Sequence, residues 1–499
     1  MRAASVFGAI VEKPSQTVVM LSLSQRSLKL WTVILASLGI VLFLGGAIML
    51  NIFPGILQNK IKEKLILHDG TPTYDKWVES PVPILLKIYF FNVTNPEGIK
   101  ARQKPILKEI GPFVYREMRK KDVVAWDKEN GTVHYINEKY FYFERDLSYA
   151  DEDMNITIVN IPLLYLARIL DDATFFFRTV GTTVINKYGM KLFVTHSVRD
   201  LLFDGYPIEL IIDAVSMGKS FVPNMPEIKT RFGFLYDKNG TREEFYSVYT
   251  GEKGVQNYTS IHTYLNQTSL DFWHNPYCNM LNGTDGRQFP FPLDKNEKVY
   301  VFSPELCRYE QDVDVEGITA YRYTARAELF ARTPENQGFC TDPKKCPRSG
   351  IHQVARCKKR EPCINEKMLC GPEAPIVISA PHFYDADEYY VSQFEGLNPN
   401  KEDHETRLDI EPQTGTTVQA KRRIMISVES EPRYGIFAMQ ALSSDDCVPQ
   451  SARIPPHLAK AFLDKVKKPA MIFSSVFIAA IALGVLMLLI AAWLLVLLL

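Results

Sequence analysis

The chain carries no excess of either charge: 57 Lys and Arg meet 57 Asp and Glu over 499 residues. That balance excludes the basic footprint a nucleic-acid partner asks for. The sequence has no H-E-x-x-H, no G-x-S-x-G, no P-loop, and no G-x-G-x-x-G followed by an acidic residue. With those motifs missing, neither an enzyme nor a cofactor is expected. No internal repeat, low-complexity tract or Ser/Gly linker divides it, and no cysteine precedes Cys278. The last thirty residues, Ala470 to Leu499, hold no charge and only two hydroxyls, Ser474 and Ser475.

What is present at the two ends organises the rest. The final run is about 45 Å long as a helix, longer than the hydrocarbon core of a bilayer. A second apolar run, Leu30 to Ile56, lies between Lys29 and Lys60. The first run lacks an A-x-A-like cleavage site and reads as an uncleaved signal anchor. The last is flanked by Lys467, Lys468 and Pro469, which favours a span over a lipid-anchor signal. The expected layout is a tail at 1–29, spans at 30–56 and 470–499, and an ectodomain at 57–469.

Flanking charges barely orient the chain, since Lys60, Lys62 and Lys64 follow the first run as Arg26 and Lys29 precede it. Sequons decide instead. Asn92, Asn130, Asn155, Asn239, Asn257, Asn266 and Asn282 each begin N-x-T without an intervening proline. Seven acceptors beside an even number of cysteines place residues 57–469 outside the cytosol, with both termini cytosolic.

Within that segment strand-like runs recur: Leu85–Val93, Val133–Glu144, Ala320–Phe330, Pro375–Phe383 and Arg423–Val428. They are aromatic or β-branched and bounded by Gly, Pro, Asn and Asp. Their irregular spacing argues for an antiparallel sheet or barrel with helical insertions, an α+β class. The clearest insertion is Asn160 to His196, where Asn160 is positioned to cap and Pro162 suits a first turn. Gly181 and Gly189 are expected breaks. Phe175, Phe176 and Phe177 fan around any helix they sit on, so at least one faces a second apolar surface or solvent.

Two other clusters receive bland readings. His404 in EDHETRLD is expected in a surface charge network. Asp312, Asp314 and Glu316 imitate a calcium loop, but Tyr323 stands where its bidentate Glu belongs, and the alternating valines indicate a strand. No metal site is expected. Cys340, Cys346, Cys357, Cys363 and Cys370 lack C-x-x-C spacing, so disulfides are favoured over zinc.

A family resemblance rests on KIYFFNVTNPEG (Lys87–Gly98), EIGPFVYRE (Glu109–Glu117), LFVTHSVRDLLFDGY (Leu192–Tyr206), CNMLNGTDG (Cys278–Gly286), GFCTDPKKC (Gly338–Cys346) and GLNPNKEDHETRLDIEPQTG (Gly396–Gly415). In that order they resemble the class B scavenger receptors, with wording nearest the family's lysosomal member. The resemblance implies an irregular antiparallel β-barrel core, an apical helical bundle at about 160–196, and a hydrophobic tunnel leading toward the membrane. It implies a receptor for lipids (fatty acid, cholesterol or phospholipid) or lipoprotein-like carriers, at the plasma or lysosomal membrane. A trafficking or docking receptor for a lumenal protein is the alternative, and a homo-oligomer is left open.

The family's apical lysine matches Lys187 in Ile185-Asn186-Lys187, which with Phe175, Phe176 and Phe177 forms the implied ligand site. The disulfides it implies are Cys340–Cys346 and Cys307–Cys370, in a disulfide-rich part at 278–370. Cys357 and Cys363 are candidates to pair within an insertion, and Cys278 and Cys447 are left unassigned. One departure bears on mechanism. The lysosomal member's acid-sensing apical histidine is matched by Phe175, and no histidine lies between His134 and His196, so a switch there is not expected.

Overall fold

The computed structural model describes residues 25–171, 174–221, 229–271, 273–302, 305–325, 327–340, 342, 344–354, 376–429, 436–439 and 450–498. The chain forms two compact units, Met1–Asn59 with Asp464–Leu499, and Lys60–Leu463.

The first unit is a pair of apolar helices. Helix α1 (Gln25–Leu65) and the C-terminal helix Lys468–Leu498 are each long and apolar enough to cross a bilayer. Lipid offers no hydrophobic drive between helices, so their contact depends on close backbone approach. Small residues supply it. A Cβ added at Gly39 would lie 2.9 Å from Gly484 O, and one at Gly484 only 2.7 Å from Phe43 N. Phe53 then packs on Phe473 and Phe477, with ring centroids 5.2 and 5.9 Å away. Gly484→Leu should force this crossing apart at a cost of about 1–3 kcal/mol. A short bis-maleimide bridge between Phe53→Cys and Phe473→Cys is the check, its yield expected to fall several-fold in the Gly484→Leu background.

The second unit is built on an eleven-stranded antiparallel sheet. Its strands are β1 (Ile84–Val93), β2 (Leu107–Asp127), β3 (Thr132–Phe143), β4 (Thr241–Tyr249), β5 (Ile261–Tyr264), β6 (Val299–Val301), β7 (Glu305–Val315), β8 (Ile318–Thr324), β9 (Arg407–Glu411), β10 (Thr416–Lys421) and β11 (Gln450–Arg453). The spatial order is β6-β7-β8-β9-β10-β11-β1-β2-β3-β4-β5. Every strand thus pairs with its chain neighbours in this sheet except β5 and β6, and β11 pairs with β1.

The expected barrel is corrected here: among the described residues β5 and β6 do not pair, and the sheet is open. Between those edges lies the segment Gly283–Thr284. Gly283 O accepts from Ile261 N (2.9 Å), Thr284 N donates to Tyr300 O (3.2 Å), and Phe302 N donates to Thr284 O (2.8 Å). Gly283 sits at φ +84°, and a Cβ there would strike Tyr300 O at 2.0 Å, so only glycine permits this approach.

Alternation sorts the two faces of the sheet. Leu86, Ile88 and Phe90 of β1 are buried on the inner face, with Tyr115 of β2 beside them. They join a core that includes Ile156, Ile158 and Phe193 from the ribbon Asn155–Val159/Phe193–Ser197. Val377, Met425 and Val428 complete it from a separate four-stranded sheet, ordered His352–Gln353, Ile376–Ser379, Met425–Glu429, Ile436–Met439. The outer face carries Leu85, Lys87 and Tyr89 of β1, all half-buried.

Candidate functional site

The insertion at 160–196 forms two helices, α2 (Ile161–Asp171) and α3 (Phe175–Lys187). Asn160 caps the first, its Oδ1 accepting from Leu163 N at 3.2 Å. Ile161 and Leu164 anchor α2 in the core. Arg178 Nε donates to Leu170 O (3.1 Å), satisfying a carbonyl at the end of α2. Gly181 does not break the insertion. It lies inside α3, where a Cβ would come within 2.3 Å of Leu170 Cδ2. Gly189, at φ +60°, ends the helix, with Gly189 N bonded to Asn186 O and Met190 N to Ile185 O.

Phe175 and Phe176 open α3 and are 85% and 68% exposed, with Val180 at 46% one turn further on. The side chain of Phe177 lies outside what the structure describes. Lys187 closes the same helix, exposed, its Nζ 6.0 Å from the Tyr188 ring. The aromatics and the ammonium therefore stand at opposite ends of one helix, about 18 Å apart, not in one compact pocket. Tyr188 fixes the lysine end by donating to Asp213 Oδ2 (2.7 Å) on α4 (Glu209–Phe221).

Sequence reading missed an ionic network on the inner face of the sheet. Glu117, Arg119 and Lys121 alternate along β2 toward that face, and Glu117 and Lys121 are only 3% and 2% exposed. Lys121 Nζ reaches Asp285 Oδ2 at 3.0 Å and Trp77 O at 3.3 Å, between the rings of Trp77 and Tyr135. Asp285 also takes Arg287 Nε and Nη2, at 3.0 and 2.9 Å. Burial pushes the Asp285 carboxyl up and the Arg287 guanidinium down.

His404 is another correction: it is buried, not part of a surface network. Its ring stacks on His382 at 4.3 Å, and its Nδ1 accepts from Asn400 N at 3.0 Å. His382 Nε2 lies 3.3 Å from Glu109 Oε1. The calcium-like cluster lies on a strand, as its alternating valines indicate, and serves the β7–β8 hairpin. Asp314 Oδ1 accepts from Gly317 N in the turn, and Asp312 takes Lys295 at 2.7 Å.

Cys340 and Cys346 are joined, their Cα atoms 5.3 Å apart. Cys307 is fully buried, while Cys357, Cys363, Cys370 and Cys447 lie outside the described residues. Burial pushes the Cys278 thiol up to about 12, and it donates to Glu335 O at 3.3 Å. Six sequon asparagines are exposed. Asn92 is half-buried in β1, its Oδ1 accepting from Thr157 N at 2.8 Å.

Residues 37–495 match the model of the CD36 family. The chain is 38% identical over 384 residues to human (Homo sapiens) lysosome membrane protein 2, covering 76% of each chain. It is 36% identical over 383 residues to that protein of Rattus norvegicus, 76% of this chain and 75% of the relative. To scavenger receptor class B member 1 of Mus musculus it is 30% identical over 413 residues, 81% of this chain and 76% of the relative. With a family match running from one apolar helix into the other, the chain is an integral membrane protein and belongs to the CD36 family.

Proposed function

We propose that this protein binds lipids or lipoprotein-like carriers at α2 and α3 and passes apolar cargo through an internal tunnel to the bilayer. Residues 57–469 stand outside the cytosol, at the plasma or lysosomal membrane, with α2 and α3 at the membrane-distal apex and no covalent step. The exposed aromatic pair Phe175 and Phe176, with Lys187 at the far end of the same helix, carries this reading. Large aromatics left in water forgo about 1.5–3 kcal/mol each, which an amphiphile's tail recovers. An ammonium at the other end suits a carboxylate or phosphate head. Transfer then is partition, driven by about 25 cal/mol per Å² of apolar surface leaving water. A conduit would run clear of the Lys121–Asp285 network, since an alkyl chain there would strip those ions of their partners.

Proteoliposomes should exchange labelled cholesteryl ester or fatty acid faster than protein-free vesicles, and equal rates would refute the conduit. Lys187→Ala should weaken binding of anionic lipid carriers about 3–10-fold while leaving uncharged ones unchanged. A second reading, docking of a lumenal protein, is favoured by the higher identity to human lysosome membrane protein 2. It would use the same exposed aromatics. A Phe175→Ser/Phe176→Ser variant that loses protein capture but keeps lipid exchange would select it.

A further inference from the structure

A group of cations on the outer face of the sheet has no ion-pair partner among the described residues. Arg407 of β9 and Lys421 of β10 are directly opposed in register, an arrangement that repels. Lys421 in turn lies opposite Ser451 of β11, and Ser451 opposite Leu85 of β1, two residues from Lys87 on the same face. Arg423 follows two residues after Lys421. Chain positions 87, 407, 421 and 423 thus converge on one stretch of wall.

Carboxylates do not neutralise it. Asp409 is held by Arg322, accepting from Nε at 2.7 Å and Nη2 at 2.8 Å. Among the described residues no ion pair reaches Lys87, Arg407, Lys421 or Arg423. The buried Arg407 Nε has no hydrogen-bond partner. Asp403 and Glu109 act on Arg423 and Glu405 on Arg407, but none is bonded to them: Glu109 faces His382 and Glu405 faces Lys401. The field around Lys421 is wholly cationic: burial lowers its pKa first, then Arg407, Arg423, Lys87 and Arg322 lower it further. All four side chains are half-buried, open enough to be reached from solvent.

A buried donor without a partner beside opposed like charges costs stability unless something anionic completes the set. We propose that Lys87, Arg407, Lys421 and Arg423 form an oxyanion site for a phosphate or sulfate group. Arg407 presents a planar fork to two oxygens, and the lysines supply point charges from either side. The site shares no residue with α2 and α3, so it stands whether or not lipid docks there.

The test uses the full-length protein in detergent, followed by thermal unfolding. At matched ionic strength, inorganic sulfate and inorganic phosphate should raise Tm above chloride, with saturation. The Arg407→Gln/Lys421→Gln variant should raise the half-saturating concentration about tenfold or abolish saturation. In chloride alone the variant should melt at or above the wild type, because an opposed cation pair has gone. Short-chain phosphatidate and a phosphorylated sugar identify the source, lipid headgroup or soluble ester, by which competes for the saturable site. Equal Tm values in sulfate, phosphate and chloride, or an unchanged half-saturation in the variant, would overturn the proposal. A Lys187→Ala control, which lies outside the site, should respond to sulfate as the wild type does.

Discussion

Replacing Asp409 with alanine is expected to cost about 3–5 kcal/mol of folding stability. The carboxylate is fully buried and receives two hydrogen bonds from Arg322, whose side chain is 18% exposed. Removing it leaves a guanidinium shielded from water, with Arg407 and Lys421 on the same face. Glu310 and Glu405 act on that guanidinium from further off and do not replace the lost pair. Denaturant unfolding should show a lowered midpoint at unchanged m. Asp312→Ala is the contrast: its pair with Lys295 is about half exposed on both sides, and its loss should leave the midpoint nearly unchanged. Equal effects from the two would mean that burial does not set the scale here.

Acid should destabilise the second unit through two buried histidines. Burial pushes His352 from 6.5 to about 4, with its Nε2 held at 2.6 Å from Leu329 O. Burial first, then the neighbouring His382, pushes His404 to about 4 as well. A depressed histidine is neutral in the fold and charged in the unfolded chain between those values. The unfolded state therefore binds more protons, and stability falls as pH drops from 6.5 toward 4. For His352 the full loss is about 3 kcal/mol at the bottom of that window. His404 acts in the same direction over the same range. The two histidines should contribute about two protons to the slope of stability against pH, against the opposite contribution of the raised Asp285, Asp385 and Glu405 carboxyls, and His352→Gln should remove about one. Equal slopes for the wild type and His352→Gln would contradict the His352 burial assignment.

Elements whose cause is local were legible. The two apolar helices follow from runs without charge, β1 from the alternation in LLKIYFFNV, and the start of α2 from Asn160. Others depend on partners distant in the chain. The long strand β2 was not legible because its inner face is Glu117, Arg119 and Lys121, which read as solvated until Asp285 and Arg287 arrive from 160 residues away. His404 looked exposed because every neighbour in EDHE is polar, while the ring it stacks on comes from His382. Lys187 was assigned by family resemblance and Phe175 by its fan around a helix, and neither argument shows that the two stand at opposite ends of one helix. The cationic stretch of wall could not be found along the chain at all, since it is assembled by register among β1, β9, β10 and β11.

The join between β11 and β1 has a consequence for biosynthesis. Ser451 donates to Leu85 O across a separation of 366 residues, so the strand that pairs with Leu85 and Leu86 leaves the ribosome long after β1 does. At ordinary translation speeds that side stays bare for about 20–70 s. A bare, apolar, hydrogen-bond-hungry ribbon is the species most ready to zip onto a foreign strand. Nascent chains of this protein should therefore depend on chaperones until β11 docks, and stalls beyond residue 430 should be more damaging than stalls of equal length early on.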